Sequence, residues 1–294
     1  MRRLSLFLCA ALLSACAAPP PAPTPPVPTP AVTPKPPPKI ALVLGGGAAR
    51  GFAHIGVIKA LEAQGIVPDM VVGTSAGAVV GALYASGMHG FDLQKVALQM
   101  EENMVSDWTL PNRGVLKGEA LQDFINQKVK NLPIQKLPKP LGVVATDLQS
   151  GEMVLFRQGN TGNAVRASSA VPGVFQPVEI SGRDYVDGGL TSPVPAQSAR
   201  AMGADFVIAV DISNVGRRDK LTGTLDVLLQ TFAIMGHAIS SHELEDADVV
   251  IRPKTAAVSS TSFADRHLAI LEGEKAAAAV MPELKVRLIK ARAR

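Results

Sequence analysis

From residue 40 onward, short apolar runs alternate with stretches in which apolar positions recur every three or four residues. Continuous apolar runs at Ile40–Leu44 and at 70–72 have the pattern of buried strands. Leu141–Asp147, Met153–Phe156, 206–211 and 248–251 read the same way, the first two joined at Gln149-Ser150-Gly151. Helical spacing runs through Phe52, Ile55, Ile58 and Leu61 and stops at Gly65. A second helix follows the 70–72 run at once. Others are expected over 91–104, 117–129, 163–170, 264–281 and 283–292, with a helix end at 199–203. The 163–170 helix is closed by Val171-Pro172-Gly173. Strands alternating with helices predict an α/β domain with a mostly parallel central sheet flanked by helices. Between helices 91–104 and 117–129 lies Trp108-Thr109-Leu110-Pro111. It reads either as core packing or as apolar cover beside a site.

The first 39 residues fall outside this alternation. Arg2 and Arg3 precede an apolar run from Leu4 to Leu13, too short to span a membrane and typical of a secretory signal. The run ends in Leu13-Ser14-Ala15-Cys16, which resembles the bacterial lipobox. That resemblance implies removal of residues 1–15 and lipid attachment at Cys16; the other reading is an ordinary signal with an incidental cysteine. Ala17, rather than Asp, follows. By resemblance to the usual sorting rule this implies an envelope lipoprotein of the outer membrane facing the periplasm, rather than of the inner membrane. Twelve of the twenty residues from 19 to 38 are proline, so this stretch favours extended polyproline geometry. At about 3.1 Å per residue such a linker reaches roughly 60 Å. The expected organisation is a signal peptide over 1–15, a lipidated Cys16 with a proline-rich linker over 16–39, and one domain over 40–294.

Charge and cysteine content narrow the chemistry. The formal charge is +4 including Arg2 and Arg3, and about +2 without them. That is no nucleic-acid footprint. The basic cluster Lys285, Arg287, Lys290, Arg292 and Arg294 reads as a solvated helix end, with anionic lipid as the alternative. Cys9 lies in the removed segment and Cys16 would be lipidated, which leaves no thiol for a disulfide, a metal site or a nucleophile. No metal-ligand cluster is visible and no cofactor is implied.

Three glycine-rich turns carry the candidate chemistry. The first is Gly73-Thr74-Ser75-Ala76-Gly77, a G-x-S-x-G between a strand and a helix. In such an elbow the serine hydroxyl stands clear of the sheet, and glycines two before and two after let strand and helix approach. The helix amino terminus adds partial positive charge. The second is Gly45-Gly46-Gly47-Ala48-Ala49-Arg50-Gly51, between the strand Ile40–Leu44 and the helix begun by Phe52. Converging amides at a helix start make an anion site. One reading is a dinucleotide loop, although G-x-G-x-x-G spacing fails from both Gly45 and Gly46. The other is an oxyanion hole serving Ser75, since loops at the carboxyl ends of neighbouring parallel strands lie side by side. The third is Tyr185-Val186-Asp187-Gly188-Gly189-Leu190, which sets an acid at a strand end; alone it also fits a β-turn that starts with Asp.

Taken in this order, the glycine loop, G-T-S-A-G and D-G-G resemble the patatin-like phospholipase family, and most closely its small bacterial members. Matching stretches run over 42–61, 71–83, 145–147, 166–178 (RASSAVPGVFQPV) and 185–211. The resemblance implies a single patatin-like domain with Ser75 as nucleophile and Asp187 as its base. It implies an oxyanion hole built from Gly45, Gly46, Gly47, Ala48, Arg50 and Gly51. Gly73, Gly77, Gly188 and Gly189 support the motifs. The family loop often reads G-G-G-x-R-G; aligned on Arg50-Gly51, this chain has Ala48 at the third glycine. An alanine still offers an N–H.

The expected activity is serine acyl-ester hydrolysis of the phospholipase A or lysophospholipase type. Its substrate would be phospholipid or another acyl ester, and its acyl-enzyme would form through a Ser75–Asp187 dyad. A catalytically weak lipid-binding or scaffold lipoprotein on the same fold is the alternative. Among five histidines, His54 is the best placed to turn the dyad into a triad; as a residue of the glycine-loop helix it otherwise supports the loop.

Overall fold

The strands that are buried along their whole length take the middle of the sheet, where both faces are covered. The computed structural model of the protein describes residues 36–102, 107, 116–213, 223–259 and 262–293. β1 (Ile40–Leu44), β2 (Met70–Thr74), β3 (Leu141–Asp147) and β7 (Phe206–Val210) are buried at every position. β4 (Met153–Phe156), β5 (Val178–Ile180), β6 (Arg183–Asp187) and β8 (Val249–Ile251) complete an eight-stranded sheet. Its order is β5-β6-β3-β2-β1-β7-β8, with β4 alongside β3. β3, β2, β1, β7 and β8 are parallel, and β4, β5 and β6 add antiparallel pairs. The expected mostly parallel α/β sheet is therefore present.

Alternation along β1 divides the core between the two faces. Leu42 and Leu44 join the larger cluster, with α1 (Phe52–Ala63), α2 (Ala76–Ala85) and α8 (Arg266–Ala293). Ala41 and Val43 face the other way, onto α6 (Ala196–Ala201). α1 and α8 approach closely at glycines: a Cβ on Gly56 would lie 1.9 Å from the Ile270 carbonyl oxygen, and one on Gly273 2.0 Å from that of Ala53.

Several expected elements differ. The helix expected over 91–104 is α3 (Gly90–Gln99). Met100 is already extended, and the Arg266 guanidinium donates to the Ala97 carbonyl at 2.9 Å at this end of the helix. α4 (Glu119–Lys128) and α5 (Thr161–Ser168) fall near their expected positions. The two helices expected around residue 282 are one, α8, with Pro282 inside it. Buried Met281, Leu284 and Leu288 keep one face on the core across the proline. β5 and the twenty-residue α7 (Thr224–Glu243) were not expected. Trp108-Thr109-Leu110-Pro111, Cys16 and the signal and linker segments before residue 36 lie outside the described residues.

Candidate active site

The site forms where two strands end against one edge of β3. β2 runs parallel to β3 and its last residue, Thr74, pairs with Val144. β6 runs antiparallel, and its last residue, Asp187, pairs with Ala145. β4 occupies the opposite edge of β3 over the same residues, so β2 and β6 share one edge and point at each other. Ser75, one residue beyond β2, therefore meets Asp187. Its side chain lies beside the Asp187 carboxylate.

Ser75 sits at φ 54°, ψ −121°, a backbone conformation that side chains rarely adopt. It is the residue from which α2 starts. Its amide donates to Ser168 Oγ at 2.8 Å, and Ser168 Oγ donates to the Val144 carbonyl. The elbow depends on glycine for sheer space. A Cβ on Gly77 would lie 1.9 Å from the Leu44 carbonyl oxygen, and one on Gly73 2.4 Å from that of Gly77. Ser75 is 8% exposed and Asp187 7%. Asp187 accepts the Gly189 amide at 2.7 Å, and a Cβ on Gly188 would lie 2.3 Å from the Val144 carbonyl oxygen. Burial pushes the Asp187 carboxyl up to about 6, opposed by the Gly189 amide and the Ser75 hydroxyl. A carboxylate so raised is a better proton acceptor near neutral pH than one at its ordinary value.

The glycine loop lies against this elbow. A Cβ on Gly46 would be 3.4 Å from Ser75 Cβ, and one on Gly51 2.7 Å from Ala76 Cβ. Its expected amide donors are not all available. Gly45 donates to the Val210 carbonyl at 3.0 Å, Gly46 to that of Pro193 at 3.0 Å, and Arg50 to that of Gly47 at 3.2 Å. Gly51 closes the 3-10 turn Ala48–Gly51 and packs on Ala76. Gly47 and Ala48 stand at the start of that turn, where amides have no intrahelical partner. Of the six residues expected to form an oxyanion hole, Gly45, Gly46 and Arg50 thus have their amides engaged, while Gly47 and Ala48 head the turn. Ala76, at the start of α2, is a further amide that the sequence reading did not single out. The same bonds remove Gly45 and Gly46 from a phosphate cradle. Ala48 adopts φ 50°, the left-handed conformation that a glycine would take without strain.

His54 is brought to the glycine loop, and its side-chain bond goes to Gly45 rather than to Ser75 or Asp187. It is fully buried, with Nε2 2.8 Å from the Gly45 carbonyl oxygen. A carbonyl only accepts, so Nε2 carries the proton. Burial lowers the ring's pKa to about 4, against the Gly45 hydrogen bond and the charge of Asp211. The ring is neutral and braces the loop.

Further polar residues hold the frame. Thr146 Oγ1 donates to the Asp187 carbonyl at 3.0 Å, and Thr74 Oγ1 to that of Ser192 at 2.7 Å. Glu243, at the end of α7, accepts from Ser192 Oγ and from the Val194 amide. Ser168 lies within a stretch that resembled the family, but no spacing singled it out. Glu243 carried no sequence signal. Among the described residues no group of three or more His, Cys, Asp or Glu side chains could hold a metal ion. No described helix is long and apolar enough to cross a membrane.

Comparison with known proteins is consistent with this architecture. The family model described as patatin-like phospholipase matches residues 42–200. An uncharacterized NTE family protein of Mycobacterium tuberculosis is 40% identical over 178 residues, 60% of this chain and 49% of the relative. Patatin-like phospholipase domain-containing protein 6 of Homo sapiens is 37% identical over 191 residues, 62% of this chain but 14% of the relative. The chain therefore matches half or less of these proteins' lengths. Among solved structures, VipD from Legionella pneumophila has the same fold, with a TM-score of 0.61 at 16% identity, over 84% of this chain and 67% of VipD.

Proposed function

The chain belongs to the patatin-like phospholipase family, and from that premise we propose that it is a serine acyl-ester hydrolase of the phospholipase A or lysophospholipase type, acting through Ser75 and Asp187. One observation carries the reading: Ser75, on strained backbone at the end of β2, stands beside the buried carboxylate of Asp187 at the end of β6, with the glycine loop against it.

In this reading Ser75 Oγ attacks the ester carbonyl carbon while Asp187 takes the hydroxyl proton. The carbonyl π pair moves to oxygen, and the amides of Gly47, Ala48 and Ala76 face the resulting oxyanion. Collapse breaks the ester bond. The departing alkoxide leaves as an alcohol with the proton from Asp187, and an acyl-Ser75 remains. Asp187 then takes a proton from water, which attacks the acyl carbon. The fatty acid leaves and the proton returns to Ser75 Oγ. Water is the only co-reactant.

Labelling tests the nucleophile. A fluorophosphonate ester probe should label wild type and fail on Ser75→Ala. Equal labelling of both, or hydrolysis of a phospholipid by folded Ser75→Ala, would overturn the assignment. Labelling of neither would favour the lipid-binding scaffold. The family points to lipid esters as the substrate class. The lipobox-like Leu13-Ser14-Ala15-Cys16 supports a further proposal, that Cys16 carries lipid and holds the domain at an outer membrane through its proline-rich linker.

A further inference from the structure

The three motifs of the site converge on residues 191–194, and a single carboxylate on α7 holds that loop. Ser192 donates its amide to the Gly188 carbonyl at 2.8 Å, directly after Asp187. Its carbonyl accepts from Thr74 Oγ1 at 2.7 Å, directly before Ser75. The carbonyl of Pro193 accepts the Gly46 amide at 3.0 Å, in the glycine loop. Val194 packs against that loop, its Cγ2 3.0 Å from where a Cβ on Gly45 would sit. Thr191 Oγ1 meets Thr146 Oγ1 at 2.9 Å, and Thr146 bonds the Asp187 carbonyl. Both oxygens of Glu243 are spent on this segment: one accepts from Ser192 Oγ and the other from the Val194 amide at 2.8 Å. Burial raises the Glu243 carboxyl above the usual carboxylate range, and Asp246 adds to this, while the Ser192 hydroxyl and Val194 amide oppose it. α7 reaches the same place with its backbone, since a Cβ on Gly236 would lie 3.8 Å from the Gly189 carbonyl oxygen.

We propose that Glu243 is a positioning residue for the ester hydrolysis, clamping residues 192–194 so that the glycine loop, the serine elbow and the Asp187 turn keep one mutual geometry. It touches neither Ser75 nor substrate and acts through Ser192 and Val194. The proposal rests on the reading of Ser75 and Asp187 given above, and it extends the machinery to a helix outside the three motifs. The geometry required is strict, because a displacement of about 1 Å in such a site costs on the order of 100-fold in rate.

The test uses Glu243→Ala, Glu243→Gln and Ser192→Ala in the whole protein. The first readout is amide hydrogen exchange, which is independent of catalysis. Glu243→Ala should speed exchange at Gly46 and Val194 while the amides of β1 and β7 stay protected. The second is hydrolysis of a soluble acyl ester. Glu243→Ala should lose on the order of 10- to 100-fold in kcat with KM little changed. Glu243→Gln keeps an acceptor for the Val194 amide and a polar partner for Ser192, so it should recover most of kcat. Should Glu243→Ala fail to fold, Ser192→Ala removes half of the clamp and should show the same signs more weakly. Unchanged exchange at Gly46 and Val194, or a loosened loop with unchanged kcat in an active enzyme, would overturn the proposal. Faster exchange in a protein whose wild type never hydrolyses esters would leave the clamp and sink the hydrolase reading instead.

Discussion

The Ser75 hydroxyl meets the Asp187 carboxylate because two strands of opposite direction stop at consecutive residues of a third. Thr74 pairs with Val144 and Asp187 with Ala145. The pair is thus set by sheet register: one residue of slip on either strand would turn its side chains to the other face. The positive-φ backbone at Ser75 then turns the chain from β2 directly into α2.

With Asp187 as base, Asp187→Asn keeps the shape of the side chain and removes its basicity. Ester hydrolysis should fall about 10²–10⁴-fold in a protein with unchanged circular dichroism. Ser75→Ala should lose at least as much, and the double variant little more, since members of one catalytic unit are not additive. His54→Ala should weaken the loop by freeing the Gly45 carbonyl, yet leave the pH dependence of kcat/KM in place. A loss in folded His54→Ala equal to that in Ser75→Ala would restore the triad.

The raised carboxyl of Asp187, at about 6, predicts an acid limb in kcat/KM centred near pH 6, where the base becomes protonated. Stability moves the other way. In the unfolded chain the group ionises at its ordinary value of 3.8, so the folded state binds the proton more tightly. Its contribution is fully present below about pH 4 and is lost as pH rises through 6, a cost on the order of 3 kcal/mol at neutral pH. His54 is lowered to about 4 and acts oppositely: its contribution is present above 6.5 and lost as pH falls. Denaturation of wild type against Asp187→Asn isolates the aspartate. The variant should be the more stable at pH 8, and its advantage should shrink toward pH 4. An advantage constant with pH would contradict the assignment.

Strain at the elbow gives a comparison in which chemistry is held constant. Ser75→Gly and Ser75→Ala both lack the hydroxyl, but only glycine relaxes at φ 54°. Left-handed backbone costs a side chain about 1–2 kcal/mol and glycine returns roughly 0.5–1 as entropy. Ser75→Gly should therefore unfold at the higher denaturant concentration of the two, by up to about 1 kcal/mol. Ala48→Gly, at φ 50°, should for the same reason be neutral or mildly stabilising.

The elbow glycines are required for space. Gly77→Ala sets a methyl 1.9 Å from the Leu44 carbonyl oxygen, a backbone atom of a central strand that has nowhere to move. It should cost on the order of 3 kcal/mol or prevent folding. Gly81→Ala is the control on the same helix. Its nearest neighbour is a valine methyl at 3.1 Å, and the change should stay within about 1 kcal/mol of wild type by thermal melting.

Lipidation at Cys16 predicts that Cys16→Ser leaves the protein unprocessed or soluble, since stable anchoring takes two or more acyl chains. Membrane fractionation and the mass of the amino-terminal peptide measure this. A variant that fractionates and matures like wild type would remove the lipoprotein reading.

What the sequence determined by itself was short in range. The strand–turn–helix units at Ile40–Leu44 and Met70–Thr74 were legible because each needs only a continuous apolar run, a glycine turn and a 3.6-residue period within some twenty residues. Ser75 and Asp187 stood out for the same reason, each marked by the glycines beside it. Tertiary structure decided whatever depends on partners far along the chain. It set β6 head-on to β2, spent the Gly45 and Gly46 amides on Val210 and Pro193, and turned His54 toward Gly45. It carried α8 through Pro282, where Met281, Leu284 and Leu288 stay buried on the core although the proline lacks a backbone donor. It also delivered Ser168 to the Ser75 amide across 93 residues, and Glu243 to Ser192 across 51. A hydrogen bond of that span leaves no periodicity behind, because neither residue's neighbours in the chain take part in it.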